Sequence, residues 1–337
     1  MTSRNQNLTK QKIFISCCFV VPTFVLLLRI FYKDYKIKIP QVQNNPNEEL
    51  LSLPHEEVFD REKSIFFIEG FGKNYIPARM LCSIESAALV HNNTFIDVLM
   101  TSRTLQKSVQ IRSLLKAYSN VRFLYLNATT LYMESPMSEW FLKETWKNSK
   151  YPEMNFVDPL RYLLLFKYGG IYLDMDIIVL KNLKMLENFA GLESDSWVNC
   201  AVMGFRKGHP FLNDCIKEMT QHFDSELWGV NGPKLITKIF RRRCHAQPPD
   251  TTLKNCSDVR LFKREVFYPI SWTKLDKFFE EDQEFTNTLL NDPNILTLHF
   301  WNHNTQSRII PVDGQNLYSV IVRHLCPITA ASSNYIF

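Results

Sequence analysis

Two aspartates, Asp174 and Asp176, stand inside an otherwise apolar run, YGGIYLDMDIIVLKNL, residues 168–183. A carboxylate among buried neighbours is costly unless it is paired or holds a cation. On a regular strand, residues i and i+2 share a face, so the two carboxylates project together, or flank a short bend if the strand ends there. Side by side they repel, and a hard divalent cation with a taste for oxygen ligands removes the conflict. Such a cation would hold a diphosphate and neutralise charge on a leaving phosphate. The competing reading of Asp-x-Asp alone is a solvated carboxylate pair at a strand end.

Upstream, VDPLRYLLLFKYGG reads as a helix with Asp158 as N-cap, Pro159 at the first helical position and Gly169 as the stop. Arg161, one turn after Asp158, reaches the same place. Downstream, LTLHFWN is strand-like; its His299 is an imidazole that either ligates a metal or fills the core, and Trp301 either stacks on a ligand or packs.

The elements that must position these groups alternate. SIFFIEG, TFIDVLM and VRFLYLN read as strands, and IPARMLCSIESAALVHN and LLKAYSN as helices, which argues for a mainly parallel α/β sheet. Residues 63–330 form one domain of catalytic size. Before it, residues 13–32 (IFISCCFVVPTFVLLLRIFY) are apolar and long enough to span a bilayer, with residues 1–12 as a tail and the polar, proline-bearing residues 33–62 as a stem. No small-residue cleavage site follows, so the segment reads as an uncleaved anchor. Sequons at Asn92, Asn127 and Asn255, and six cysteines beyond the anchor without a CxxC pair, place the domain in an oxidising lumen and exclude a zinc ribbon. A net charge of +5 identifies no nucleic-acid partner, and Arg241, Arg242 and Arg243 read as a solvated face.

The block DPLRYLLLFKYGGIYLDMDIIVLKNL, together with MLCSIESAAL, WGVNGPKLIT, FYPISW, HFWN and HLCP in order, resembles the α1,4-glycosyltransferase family over nearly the whole lumenal part. The resemblance implies a GT-A fold and a Golgi type II membrane enzyme. It would move a hexose with retention from a UDP-sugar, UDP-galactose first, to a terminal sugar in α1,4 linkage. The acceptor would be a lactosylceramide-like glycosphingolipid. N-acetylgalactosamine or N-acetylglucosamine transfer to glycolipid or glycoprotein is the alternative, and a non-catalytic sugar-binding protein on the same fold is another. It also implies Mn²⁺ or another divalent cation on Asp174, Asp176 and His299. The donor would lie against Asp158, Arg161, Asp174, Asp176, Asn199 and Trp301.

Asp176 and Asn231 would act in catalysis. Galactosyltransferases of the family carry Gly-His-Gln-Gly-Pro where this chain has Gly229-Val230-Asn231-Gly232-Pro233, so the carboxamide is kept but shortened. An amide is no base at neutral pH; it would orient the acceptor or shield positive charge through its carbonyl. A bridge between Cys244 and Cys256 is expected, closing the loop that holds Pro248 and Pro249, and Cys82 is expected to be oxidised.

Overall fold

The computed structural model describes residues 47–53, 64–244 and 258–333. The expected membrane helix, the tail, most of the stem, Cys256 and the sequon at Asn255 lie outside them. Among the described residues no helix is long and apolar enough to cross a membrane.

Eleven strands occur among the described residues: β1 (Asn47–Glu49), β2 (Ile65–Glu69), β3 (Ile96–Met100), β4 (Thr104–Gln106), β5 (Val121–Tyr125), β6 (Gly170–Leu173), β7 (Ile177–Val179), β8 (Phe189–Ser194), β9 (Trp197–Phe205), β10 (Arg260–Phe262) and β11 (Thr297–His299). Seven of them form one sheet in the order β10-β8-β9-β6-β2-β3-β5. Every neighbouring pair is parallel except the two made by β9, which runs against both β6 and β8.

This explains why IFFIE is apolar at four of five positions. Ile65 and Phe67 pack on one face with Ile84, Val98 and Ile111, while Phe66 and Ile68 pack on the other with Leu160, Tyr162 and Ile236. A parallel sheet covered on both faces needs continuous apolar strands rather than alternating ones. Helices Ala78–Val90 and Val109–Ala117 supply the first layer; Pro152–Tyr168, Pro210–His222 and Leu235–Cys244 supply the second.

From β2 the chain continues to β3 and β5 on one side, while β6 pairs on the other. The order therefore reverses between β2 and β6, and ligands of open α/β sheets bind beyond the carboxyl ends of strands at such a point. Asp174 is the residue that leaves β6 there.

The expected helix start needs correction. The long helix starts at Pro152, with Tyr151 as its cap, so Pro159 lies in the interior and Asp158 caps nothing. Both prolines suit a first helical position, but the apolar residues flanking Pro159, with Val157, Leu160, Leu163 and Leu164 buried, keep the helix packed through the rung that proline cannot make. The Asp158 side chain is thus free of capping duty. Gly169 does end the helix, at φ 69°.

Residues 47–53, inside the expected stem, also pair with the domain. Asn47–Glu49 pair antiparallel with β4, and Leu53 and Leu51 exchange backbone hydrogen bonds with Tyr125 at 2.8 Å. The side chains of β1 are exposed, so hydropathy carries no trace of a strand held by its backbone alone. A chain beginning at Pro46 is expected to melt about 3–8 °C above one beginning at Glu62, because the shorter one loses several backbone bonds worth roughly 1 kcal/mol each. Calorimetry on the two chains checks this; equal melting temperatures would return residues 47–53 to the stem.

Cys82 is oxidised, as expected, and its partner is Cys326. Beside it, the buried Glu85 carboxylate accepts from the N–H groups of Ile328 and Thr329, both at 2.8 Å, and from the hydroxyls of Thr329 and Tyr118 at 2.6 and 3.2 Å. The late helix Pro327–Ala331 is therefore fastened to Ala78–Val90 covalently and by an anion at its N-terminus. Cys244 is disulfide-bonded as well. Cys200 and Cys215 are free and buried.

Candidate active site

Of the two arrangements the sequence allows for the aspartates, a regular strand or a short bend, the structure takes the bend. β6 ends at Leu173, residues 174–176 turn with the Ile177 N–H on the Asp174 carbonyl at 3.0 Å, and β7 resumes. The aspartates are therefore not buried in mid-sheet; they flank a bend between two apolar strands.

That bend meets the end of β11. β7 and β11 are antiparallel, His299 faces Ile177, and the Phe300 N–H donates to the Asp176 carbonyl at 2.9 Å. One ligand atom each from Asp174, Asp176 and His299 lie within 4.8 Å of one another. Nε2 of His299 is 3.2 Å from Asp176 Oδ1, and the Asn302 N–H donates to Asp176 Oδ2 at 2.8 Å.

Burial works against the Asp176 carboxylate, but the adjacent His299 and the Asn302 N–H outweigh it and hold its pKa below the ordinary range. Burial likewise opposes charge on His299, yet its attraction to Asp176 raises the ring pKa. Nδ1 of His299 is buried without a hydrogen-bond partner. The ring nitrogen that faces Asp176 is Nε2, and an imidazole beside two carboxylates is a donor set that fits a divalent cation of the Mn²⁺ type.

Trp301 sits at φ 51°, ψ 51°, a left-handed conformation that is an outlier for a bulky residue. Its ring stacks on His299 with centroids 3.9 Å apart, and its Nε1 donates to the Ile270 carbonyl at 3.0 Å. The left-handed turn swings the chain so that the next N–H, that of Asn302, points at Asp176. The strain and the carboxylate contact are two sides of one backbone choice.

Asp158 and Arg161 come together with Asp174, as expected. Arg161 Nη2 is 3.1 Å from Asp158 Oδ1 and 3.4 Å from Asp174 Oδ1, both donor and acceptors being well buried apart from the quarter-exposed Asp174. The other terminal nitrogen donates to the Cys200 sulfur at 2.6 Å. Tyr172, two residues before Asp174, donates its hydroxyl to Asp174 Oδ1 at 2.6 Å and lies under the guanidinium.

Burial pushes the Asp158 carboxyl up to about 6, with Arg161 pulling it down and Asp174 adding to the rise. Gly232 leaves room here: a Cβ would lie 3.0 Å from Asp158 Oδ2. Burial also pushes the Cys200 thiol up to about 12, so it meets Arg161 as a neutral sulfur.

Asn199 lies on β9 with its carbonyl taken by the Ala201 N–H at 2.7 Å and its amide donating to Glu193 Oε2 at 2.7 Å. Glu193, which the sequence reading did not single out, sits where the β8–β9 register shifts. Burial raises its pKa, opposed by the Asn199 bond and by His299. No local pattern announces it, because a bulge is a property of two strands rather than one.

Asn231 is engaged within the fold. Both amide hydrogens are used, on Asn155 Oδ1 and the Asp224 carbonyl at 2.7 Å each, and its oxygen accepts the Asp224 N–H at 3.1 Å. It is 2% exposed. The side chain clamps a loop to a helix and has no free donor for a substrate. The basic triplet is also partnered rather than simply solvated: Arg241 donates to the Ser196 carbonyl, Arg242 to Glu218 and Arg243 to Asp214.

The α1,4-glycosyltransferase conserved region matches residues 204–333, and the glycosyltransferase sugar-binding region containing the DXD motif matches residues 77–197. The chain is similar to lactosylceramide 4-alpha-galactosyltransferase of Rattus norvegicus, 32% identical over 79% of this chain and 74% of that protein. It is similar to alpha-1,4-N-acetylglucosaminyltransferase of Homo sapiens, 27% identical over 81% of this chain and 82% of that protein. The solved galactosyltransferase LgtC, in complex with donor and acceptor sugar analogues, pairs with 80% of this chain and 96% of its own at 12% identity and a TM-score of 0.42. The two matched regions together hold the aspartate turn and the strand of His299, and by its sequence relatives the chain belongs to the α1,4-glycosyltransferase family.

Proposed function

We propose that this chain is a retaining α1,4-glycosyltransferase that moves galactose from UDP-galactose to the terminal sugar of a glycosphingolipid. It would do so in the Golgi as a single-pass type II membrane protein held by residues 13–32. The observation that carries the reading is the Asp174–Asp176–His299 cluster at the sheet's switch point, with His299 Nε2 against Asp176. Mn²⁺ bound there would stabilise the charge that builds on the departing diphosphate.

The chain's own residues do the remainder. Asp174, Asp176 and His299 would hold the cation, and Arg161 and Asp158 would face the donor beside it. Asn199, its carbonyl already occupied, would offer the donor sugar an N–H. Trp301, stacked on the His299 ring, would lie against the donor. Because Asn231 is spent on its clamp, no amide or carboxylate there acts as a base. A donor β-phosphate oxygen would accept the proton of the attacking acceptor hydroxyl as the sugar–phosphate bond breaks on the same face, which retains configuration. Lumenal placement draws support from the Cys82–Cys326 bond and from Asn92 and Asn127, both exposed.

The test is sugar release from UDP-galactose, UDP-N-acetylgalactosamine and UDP-N-acetylglucosamine by the purified protein with Mn²⁺. UDP-galactose should turn over fastest. The second reading, an N-acetylhexosamine donor, rests on the similarity to the N-acetylglucosaminyltransferase; faster turnover of either N-acetyl donor would install it instead. No release from any donor would leave a non-catalytic sugar-binding protein.

His299→Ala is expected to raise the Mn²⁺ concentration for half-maximal activity at least about 10-fold, since losing even an outer hydrogen-bond partner of a metal ligand costs about 10–100-fold, with the circular dichroism spectrum unchanged. If His299 is only a core residue, the melting temperature falls and the Mn²⁺ titration does not move.

A further inference from the structure

Trp228 is large, apolar and 46% exposed, yet it does not sit on a loose loop. Asn231 grips both backbone groups of Asp224, the Asp224 carboxylate accepts the N–H groups of Glu226 and Leu227 at 2.8 and 3.0 Å, and the Lys150 N–H donates to the Ser225 carbonyl at 2.9 Å. The loop is tied on three sides, and a tryptophan is presented at its end.

Two rings support it. Tyr151 meets Trp228 edge-on, centroids 5.1 Å apart at 79°, and His303 stacks on it at 5.1 Å and 27°. His303 follows directly on Asn302, whose N–H holds Asp176. One short segment thus carries a contact to the cation cluster and a contact to an exposed aromatic surface.

We infer that Tyr151, Trp228 and His303 form a platform for the terminal pyranose of the acceptor glycan; this rests on the glycosyltransfer reading above. A pyranose presents a face of C–H groups that packs on an aromatic ring, while its hydroxyls stay wet at the rim, and Trp and Tyr suit a contact that is apolar in the middle and polar at the edge. Asp158, Arg161 and Asn199 are assigned above to the donor; the exposed Trp228 is available to a second sugar. A platform that positions an attacking hydroxyl must be rigid, which gives the Asn231 clamp its purpose: it acts through the loop, as a positioning residue.

The experiment is saturation-transfer NMR on the detergent-solubilised full chain with the methyl β-glycosides of galactose, N-acetylgalactosamine and N-acetylglucosamine, without cation or donor. At least one glycoside should receive saturation on its ring C–H protons. Trp228→Ala should weaken that binding about fivefold, the size of one lost ring contact, and Trp228→Phe should restore most of it. His303→Ala, which leaves Trp228 in place without its support, should weaken it in the same direction. Melting curves of all variants should match the parent, since Trp228 is half outside.

Absence of binding by all three glycosides, or equal binding by parent and Trp228→Ala, overturns the platform. The donor-release assay judges the glycosyltransfer reading independently: glycosides that bind in a Trp228-dependent way to a protein that releases no sugar sink that reading and, with it, the acceptor role, leaving Trp228 as a sugar-binding surface only.

Discussion

Replacing Asp176 by Asn is expected to lower turnover at least about 100-fold, through loss of a charged ligand and of the charge stabilisation it brings to the departing diphosphate. The fold should survive. Asp176 is bound by its neighbours from the backbone side: its carbonyl takes the Phe300 N–H and its Oδ2 takes the Asn302 N–H, and an amide oxygen can still accept the latter. What the amide cannot do is balance His299. Asp174→Asn should behave alike, with the added loss of the anion that Arg161 and Tyr172 both address. Steady-state kinetics across a Mn²⁺ titration, with circular dichroism as the check on folding, reads both variants. Full activity of the parent protein in excess chelator would remove the cation from the account altogether.

The second large effect is expected at Arg161. Its guanidinium serves Asp158, Asp174 and the Cys200 sulfur at once. Arg161→Met fills similar volume but leaves Asp158 buried without its cation, a change worth about 3–5 kcal/mol when a buried pair is broken from one side. The cost should depend on pH.

In the parent, burial lifts Asp158 from 3.8 to about 6. The folded chain therefore holds a proton that the unfolded chain releases between those values, so this group favours the folded state below about 4 and loses that contribution as pH rises toward 6. Without Arg161 the pKa rises further, and the loss continues to higher pH. The melting-temperature gap between parent and Arg161→Met should therefore be smaller at pH 5 than at pH 8. A gap that is equal at both would mean that Asp158 does not carry the penalty.

The parts of this site that can be read in the sequence are those whose chemistry is local. Asp174 and Asp176 announce themselves by contrast with Leu173 and Ile177, Arg161 by its spacing from Asp158, and Gly169 by ending an apolar helix just before the strand. His299 and Trp301 are visible as types, but their pairing with the aspartate turn is made by the β7–β11 ladder between distant segments.

What escapes is decided elsewhere in the molecule. The helix could have begun at Pro152 or at Pro159, and the choice is made by packing. β1 is held by backbone bonds beneath exposed side chains. Asn231 has the residue type of an active-site amide, and only its three bonded partners show it to be a clamp. Glu193 depends on a register shift that no single strand encodes.

The fastening of Pro327–Ala331 to Ala78–Val90 bears on the order in which the protein can mature. Ser86, one residue beyond Glu85, accepts the Val179 N–H at 3.0 Å, so the early helix that receives the late disulfide and the late helix end also steadies β7. β7 in turn waits for β11 before Asp176 meets His299. During synthesis the first half of the sheet can collapse as soon as it is made, since β2, β3, β5 and β6 are near in sequence, but closing the long loop that brings the last segments back carries an entropic cost. Asp174, Asp176 and His299 can therefore meet only after the last third of the chain has joined the sheet, and the Cys82–Cys326 bond ties that late stretch to the first helix.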